Sequence, residues 1–248
     1  LRCLALVLVI LVLARPQTTN KWQNSEIEGI DIMLAIDVST SMLAEDLKPN
    51  RLEAAKDVAA EFINGRPNDN IGITLFAGET FTQCPLTVDH AVLLDMIHNI
   101  KCGLITDGTA VGMGIANAVT RLKDSKAKSK VIILLTDGTN NKGDISPMTA
   151  AEIAKSFGIR VYTIGVGTNG MAPYPYPVGN TVQYVSMPVE IDEKTLTEIA
   201  GTTDGNYFRA TSNSKLKEVY EEIDKLEKTK LNVKEYSKRD EEYHLSLI

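Results

Sequence analysis

The sequence is short of the residues on which most zinc, redox and nucleophilic chemistry relies. It holds three cysteines (Cys3, Cys84, Cys102) and three histidines (His90, His98, His244) in 248 residues. No C-x-x-C pair occurs, so a structural zinc site lacks its usual ligand spacing. Cys84 and Cys102 are close enough in sequence to pair, but spacing alone does not separate a disulfide from two ordinary thiols. There is no G-x-S-x-G, and no histidine lies beside a candidate nucleophile in the chain, which leaves a serine hydrolase without its parts. The absence of G-x-x-x-x-G-K-[ST] excludes a P-loop ATPase. Basic residues are neither abundant nor clustered: 26 Lys and Arg stand against 32 Asp and Glu, a formal net charge of -6, so nucleic acid is not the expected partner. With 44% hydrophobic residues the chain has ample material for a core.

What is present begins with an apolar run. Residues 4–14 (LALVLVILVLA) carry no charge, with Arg2 before them and Arg15-Pro16 after. A spanning helix takes about 20 apolar residues. The run is therefore read as a transmembrane helix truncated at residue 1, with the core of a signal peptide as the competing reading. On either reading, residues 1–15 are a membrane or export segment, 16–28 a polar linker and 29–229 the globular domain. Residues 230–248 form a charged tail that turns apolar at Leu245-Ser246-Leu247-Ile248, the expected approach to a second membrane segment. Lys234, Lys238 and Arg239 favour a cytoplasmic side by the positive-inside rule, while Arg2 favours the opposite one.

Within the domain, apolar runs of strand length alternate with helical spacing. Strands are predicted at 30–36, 71–77, 80–86, 130–136, 160–165 and 206–209, and helices at 51–64, 88–100, 109–123, 148–157, 196–200 and 215–228. Pro85 cannot donate to a ladder, which confines the third strand to an edge. Segment 168–188, with Tyr174-Pro175-Tyr176-Pro177, is no helix and reads as a projecting loop or hairpin. Its tyrosines either face a partner or pack on their own domain. The alternation implies an α/β fold: a doubly wound, mostly parallel central sheet, Rossmann-like, with helices on both faces and one short antiparallel edge strand. In such sheets ligands bind beyond the carboxyl ends of the strands.

Those ends carry a distinctive set of oxygens. Asp37-Val38-Ser39-Thr40-Ser41 follows the first strand directly, Asp137-Gly138 follows the apolar strand KVIILLT, and Thr109 precedes a helix. Taken singly, Ser39 and Ser41 are ordinary turn or cap residues, and Asp-Gly is a common turn. Taken together, Asp37, Ser39, Ser41, Thr109 and Asp137 put two carboxylates and three hydroxyls on one edge of the sheet, with no His or Cys. That donor set suits a hard cation, Mg²⁺ first, with Mn²⁺ or Ca²⁺ as alternatives.

The segments DVSTS (37–41), GTAVG (108–112) and LLTDG (134–138) closely resemble the metal-ion-dependent adhesion site of von Willebrand factor type A domains, and the likeness extends over residues 29–228. The resemblance implies that Ser39, Ser41 and Thr109 touch the metal and that Asp37 and Asp137 hold it directly or through water. Thr40 departs from the glycine most usual there, at a position that supplies no ligand. The flanks (ARPQ at 14–17, IDIMLAIDVSTSM, RLEAAK at 51–56 and FTQCPLT at 81–87) resemble the membrane-bound Bat (aerotolerance) proteins of bacteria. That likeness implies an inner-membrane protein with a periplasmic domain, assembled with other membrane-complex subunits. It also implies no catalysis, but binding of a partner's Asp or Glu through the metal.

Other readings fit less well. A Mg²⁺-dependent phosphatase or phosphotransferase with Asp37 as nucleophile would usually carry a second aspartate where Ser39 stands. Residues 165–170 match G-x-G-x-x-G, yet Met171-Ala172-Pro173-Tyr174-Pro175 follows where a dinucleotide site needs a helix.

Overall fold

The computed structural model describes residues 29–236 except 139, 169, 179, 180 and 190. The expected membrane or export segment, the linker before residue 29 and the tail beyond residue 236 lie outside the described residues. Among those described, no helix is long and apolar enough to cross a membrane.

A six-stranded sheet forms the centre. Its strands are β1 (Asp31–Asp37), β2 (Asn70–Phe76), β3 (Thr80–Thr87), β4 (Lys130–Thr136), β5 (Ile159–Val166) and β8 (Tyr207–Ala210), in spatial order β3-β2-β1-β4-β5-β8. All neighbours are parallel except β2 and β3. β3 is an edge strand, and that is where Pro85 is tolerated. The helices are α1 (Arg51–Asn64), α2 (His90–His98), α3 (Val111–Leu122), α4 (Pro147–Ser156), α5 (Glu193–Thr202) and α6 (Asn213–Tyr236). Side chains alternate across each strand, so every strand feeds two cores. Ile32, Leu34 and Ile36 of β1, with Val131, Ile133 and Leu135 of β4, pack against Leu52, Phe62, Leu93 and Tyr220 from α1, α2 and α6. Met33, Ala35, Ile132 and Leu134 pack on the other face against Ile115, Ala154 and Ile199 from α3, α4 and α5. Because both faces are covered, these strands read as unbroken apolar runs. Side-chain caps set the helix starts: Asn50 accepts from the Glu53 N–H, and Ser146 accepts from Thr149 with Pro147 in the first turn.

Of the two forms expected for segment 168–188 the structure shows the hairpin: β6 (Gly170–Val178) pairs antiparallel with β7 (Thr181–Val189) as a separate two-stranded ribbon. One element differs from expectation. The last helix, expected at 215–228, runs to Tyr236. The apolar face fades after Leu226, but the Lys- and Glu-rich sequence that follows has no Gly or Pro to stop a helix.

Glu227 fastens α6 to the amino ends of β4 and β5. Its carboxylate is 1% exposed. It accepts from Tyr162 Oη at 2.6 Å, Ser129 Oγ at 2.8 Å and Arg160 Nε at 2.8 Å, and pairs again with Arg160 Nη2. Burial alone would raise its pKa, but the hydrogen bonds from Arg160 and Tyr162 and the guanidinium charge outweigh burial and hold it below the ordinary 4.5. A depressed carboxylate contributes stability that is present above pH 4.5 and is lost as pH falls through the folded value. Glu227→Gln is expected to cost about 2–4 kcal/mol at neutral pH by leaving Arg160 unpaired, and to flatten the acid side of the stability profile. Urea unfolding at stepped pH reads both; an unchanged acid limb would show that Glu227 does not govern it.

Candidate metal centre

The sheet order places a topological switch between β1 and β4: the chain leaves β1 toward β2 on one side and returns to β4 on the other. The connections after β1 and β4 diverge there, opening a crevice at their carboxyl ends. Asp37 ends β1 and Asp137 follows β4, so both carboxylates stand at that crevice, 0% and 2% exposed.

Each oxygen of Asp37 is held. Oδ1 accepts the Ser39 N–H at 2.9 Å and Oδ2 the Thr136 hydroxyl at 2.6 Å. The chain then turns through a short 3₁₀ segment, Thr40–Leu43, anchored by the fully buried Met42. This turn brings the Ser39 and Ser41 hydroxyls within 2.9 Å of each other. Ser41 Oγ in turn donates to Asp137 Oδ1 at 2.7 Å. Thr109 approaches from the loop before α3. Gly108 precedes it at φ +131°, a conformation that glycine adopts freely. The Thr109 N–H donates to Asn141 Oδ1 at 2.9 Å. A β-carbon built on Gly138 would lie 3.3 Å from Thr109 Oγ1, so the threonine hydroxyl sits against the turn that carries Asp137. The structure thus gathers Asp37, Ser39, Ser41 and Asp137 into one hydrogen-bonded chain with Thr109 beside it.

Sequence reasoning missed three residues of this centre. Arg51, the first residue of α1, is buried; it donates to Asp137 Oδ2 at 2.6 Å and forms a two-pronged pair with Asp46 at 2.7 and 2.8 Å. Asp46 also accepts the Thr168 N–H at 2.8 Å, which ties the start of the β6–β7 ribbon to the centre. Asp107 accepts from Thr40 N–H and Oγ1 at 3.0 and 2.9 Å. Apart from the Asp46–Arg51 pair, five residues apart, these contacts join distant parts of the chain.

The electrostatics is that of a site with excess negative charge. Burial first, then the neighbouring Asp137, pushes Asp37 up to about 7, against hydrogen bonds from Ser39 and Thr136 that lower it. Asp137 is also raised by burial, although Arg51 and Ser41 oppose the shift. Cys102, whose thiol donates to the Ser39 carbonyl, is pushed up to about 12 by burial and by the charges of Asp37 and Asp137. By contrast Asp46 is held at about 2: burial would raise it, but its pair with Arg51 dominates. Arg51 engages Oδ2 of Asp137, while Oδ1 accepts from the Ser41 hydroxyl. Among the described residues no group of three or more His, Cys, Asp and Glu is placed to hold a metal. Any cation here would rest on hydroxyls with two carboxylates, a fit for a hard, oxygen-seeking ion.

The centre opens onto a cavity of about 310 Å³ walled by Thr40, Ser41, Ala44 and Arg51 on one side and by Ala172, Tyr174, Tyr176, Met187, Pro188 and Val189 on the other. Tyr174 and Tyr176 of the ribbon therefore face the centre. Elsewhere the structure removes alternatives. Cys84 and Cys102 are free thiols. β5 ends at Val166 and β6 begins at Gly170, so G-x-G-x-x-G opens a strand and not a helix. His90 starts α2 with Nε2 3.0 Å from the Asp69 carbonyl, a local contact.

The model of the von Willebrand factor type A domain family matches residues 31–222. An uncharacterized protein of Borreliella burgdorferi is 28% identical over 93% of the chain and 68% of its own length. A UPF0353 protein of Mycolicibacterium paratuberculosis is 30% identical over 89% of the chain and 67% of its own. The chain thus spans about two thirds of these relatives. Among solved structures, BatB of Bacteroides thetaiotaomicron is 34% identical with a TM-score of 0.71, covering 81% of this chain and 100% of that one. An aerotolerance-related membrane protein of Bacteroides fragilis is 34% identical with a TM-score of 0.69, covering 79% and 100%. Proximal thread matrix protein 1 of the mussel byssus, with a zinc-occupied MIDAS motif, is 25% identical with a TM-score of 0.63, covering 80% and 45%.

Proposed function

Because the chain belongs to the von Willebrand factor type A domain family, we propose that its crevice is a metal-ion-dependent adhesion site whose task is to hold an acidic residue of a partner protein. Ser39, Ser41 and Thr109 would contact the ion, and Asp37 and Asp137 would hold it directly or through water. Mg²⁺ is the proposed ion; the zinc-occupied motif of the mussel protein supports a divalent cation in general. Bound there, the ion supplies an electropositive position for a carboxylate from outside. The observation that carries this reading is the buried carboxylate pair, linked through Ser39 and Ser41 at the mouth of the crevice.

The protein's own groups perform the rest. Thr136 and the Ser39 N–H orient Asp37, Arg51 orients Asp137, and Tyr174 and Tyr176 wall the approach. A phosphoaspartyl enzyme is disfavoured because Ser39 stands where such sites usually carry a second aspartate. We place the protein in the bacterial inner membrane with the domain on the periplasmic side, among other subunits of a membrane complex. Support comes from the description of the Bacteroides fragilis relative as a membrane protein.

Calorimetric titration of the metal-stripped full chain with Mg²⁺ and Mn²⁺ tests the site. The expected result is binding at about one equivalent, weakened about 10- to 100-fold in Ser41→Ala, and tightened by an added Asp- or Glu-containing peptide. Absence of binding to folded protein even with peptide present would overturn the proposal.

A further inference from the structure

The two strands of the β6–β7 ribbon have outer edges of different kinds. β6 carries Pro173, Pro175 and Pro177 at alternate positions, so along one side of the strand these residues have no N–H to offer. That side faces away from β7, because the Pro173 carbonyl accepts the Glu45 N–H from the loop after β1 at 2.9 Å. Successive residues of a strand point their backbone groups to opposite sides, and directly opposed residues of an antiparallel pair behave alike. Pro173 is opposite Ser186, Pro175 opposite Tyr184 and Pro177 opposite Val182. The N–H and C=O groups of Val182, Tyr184 and Ser186 therefore point away from β6. Among the described residues the ribbon has two strands, and residues 181–188 are exposed. The inner strand is blocked by prolines and docked on the domain; the outer strand ends in an open row of donors and acceptors.

Proteins normally guard such an edge with Lys, Pro or a covering loop. β7 reads TVQYVSMPV, with no Asp, Glu, Lys or Arg, and its first proline is Pro188. Val182 is 57% exposed and Tyr184 61%. We propose that β7 is a self-association edge: two copies of this chain pair their β7 strands antiparallel across a two-fold axis at Tyr184. The ribbons then merge into a four-stranded sheet.

The strand itself specifies a second copy as the occupant. A two-fold axis sets each side chain near its own copy, so a charged strand would confront like with like; β7 carries no formal charge. With Tyr184 opposite Tyr184, Val182 of one copy meets Ser186 of the other. Every outward backbone group from Thr181 to Met187 then has a partner, and Pro188, without an N–H, falls just beyond the paired span. The Tyr184 hydroxyl donates to Glu45 Oε1 at 3.0 Å within its own chain, so the contact at the axis is made by the Tyr184 backbone groups. None of the five proposed metal residues takes part, so this inference stands or falls independently of the metal reading.

Sedimentation velocity of the full chain in density-matched detergent, over a roughly hundredfold concentration range, tests it by mass action. The unmodified chain is expected to reach the dimer. Ser186→Pro deletes an outward N–H on each copy without touching the β6 ladder and is expected to weaken the dimer about 10- to 100-fold. A Val182→Lys/Ser186→Lys chain and a Val182→Glu/Ser186→Glu chain are each expected to sediment as monomers, and their equimolar mixture to recover the dimer, a rescue that a misfolded ribbon does not give. A chain that stays monomeric throughout, a dimer indifferent to these substitutions, or a mixture that fails to associate overturns the proposal.

Discussion

Arg51→Ala is expected to destabilise the fold by about 3–5 kcal/mol, the cost of leaving buried carboxylates without their counter-ion. Arg51 is 3% exposed and ties together four parts of the chain. Its guanidinium pairs with Asp46 in the loop after β1 and with Asp137 after β4. A β-carbon on Gly167, at φ +133°, would come within 2.8 Å of Arg51 Nη2, so the backbone after β5 rests on the same group. The fourth part is α1, which Arg51 opens. Removing it leaves Asp137, already raised by burial, without the charge that most opposes the rise. Arg51→Lys is expected to recover little, because an ammonium cannot span a two-pronged pair and a third carboxylate oxygen at once. Urea unfolding of Arg51→Ala, Asp46→Ala and the double variant separates the terms, with strong coupling expected for groups in direct contact. A loss below about 1 kcal/mol for Arg51→Ala would mean that the carboxylates find other partners or neutralise readily. Mg²⁺ is expected to stabilise the Arg51→Ala chain more than the parent, since the ion would then be the principal cation near Asp137.

Asp37→Asn is expected to have opposite effects on stability and on binding. In the metal-free chain Asp37 is pushed up to about 7 by burial and by Asp137, so its charged form is unfavourable in the folded state at neutral pH. An amide is isosteric and uncharged. It keeps an oxygen for the Ser39 N–H, and the Thr136 hydroxyl can turn to accept instead of donate. The metal-free variant is therefore expected to be more stable than the parent by about 1–3 kcal/mol. With Mg²⁺ the order reverses. The parent gains stability as RT ln(1 + [L]/Kd), while the variant, with one carboxylate fewer, responds only at concentrations about 10- to 100-fold higher. Thermal unfolding with chelator and with Mg²⁺ reads both arms. A metal-free Asp37→Asn chain less stable than its parent would show that Asp37 is there for packing and hydrogen bonding, not for a cation.

Much of this centre was legible before the fold was known. Asp37, Ser39 and Ser41 are adjacent in sequence, and a strand ending at Asp37 delivers all three to one edge whatever surrounds them. Asp137 follows KVIILLT, whose unbroken apolar character already places it at the centre of a parallel sheet. Thr109 was legible only as a hydroxyl just before a predicted helix, because its approach depends on a loop from a different part of the chain. Arg51 was read as the start of a helix, which it is. Its second role depends on α1 lying under the ends of β1, β4 and β5, a matter of packing and not of local sequence. The ribbon divides in the same way: the prolines of 173–177 excluded a helix, but which edge they block emerged only from the strand register and the Glu45 contact.

Local order in the sequence determined what local physics controls: the alternation of strands and helices, their caps, the parallel sheet, and the oxygens at two strand ends. Tertiary structure decided what requires distant segments to meet: the Arg51 bridge between Asp46 and Asp137, the Glu227 clasp on α6, and the outward face of β7. The reason is that hydrophobic periodicity is set by neighbours three or four residues apart in a helix and two apart in a strand. A buried charge, in contrast, is satisfied by whichever partner the completed packing brings within about 3 Å.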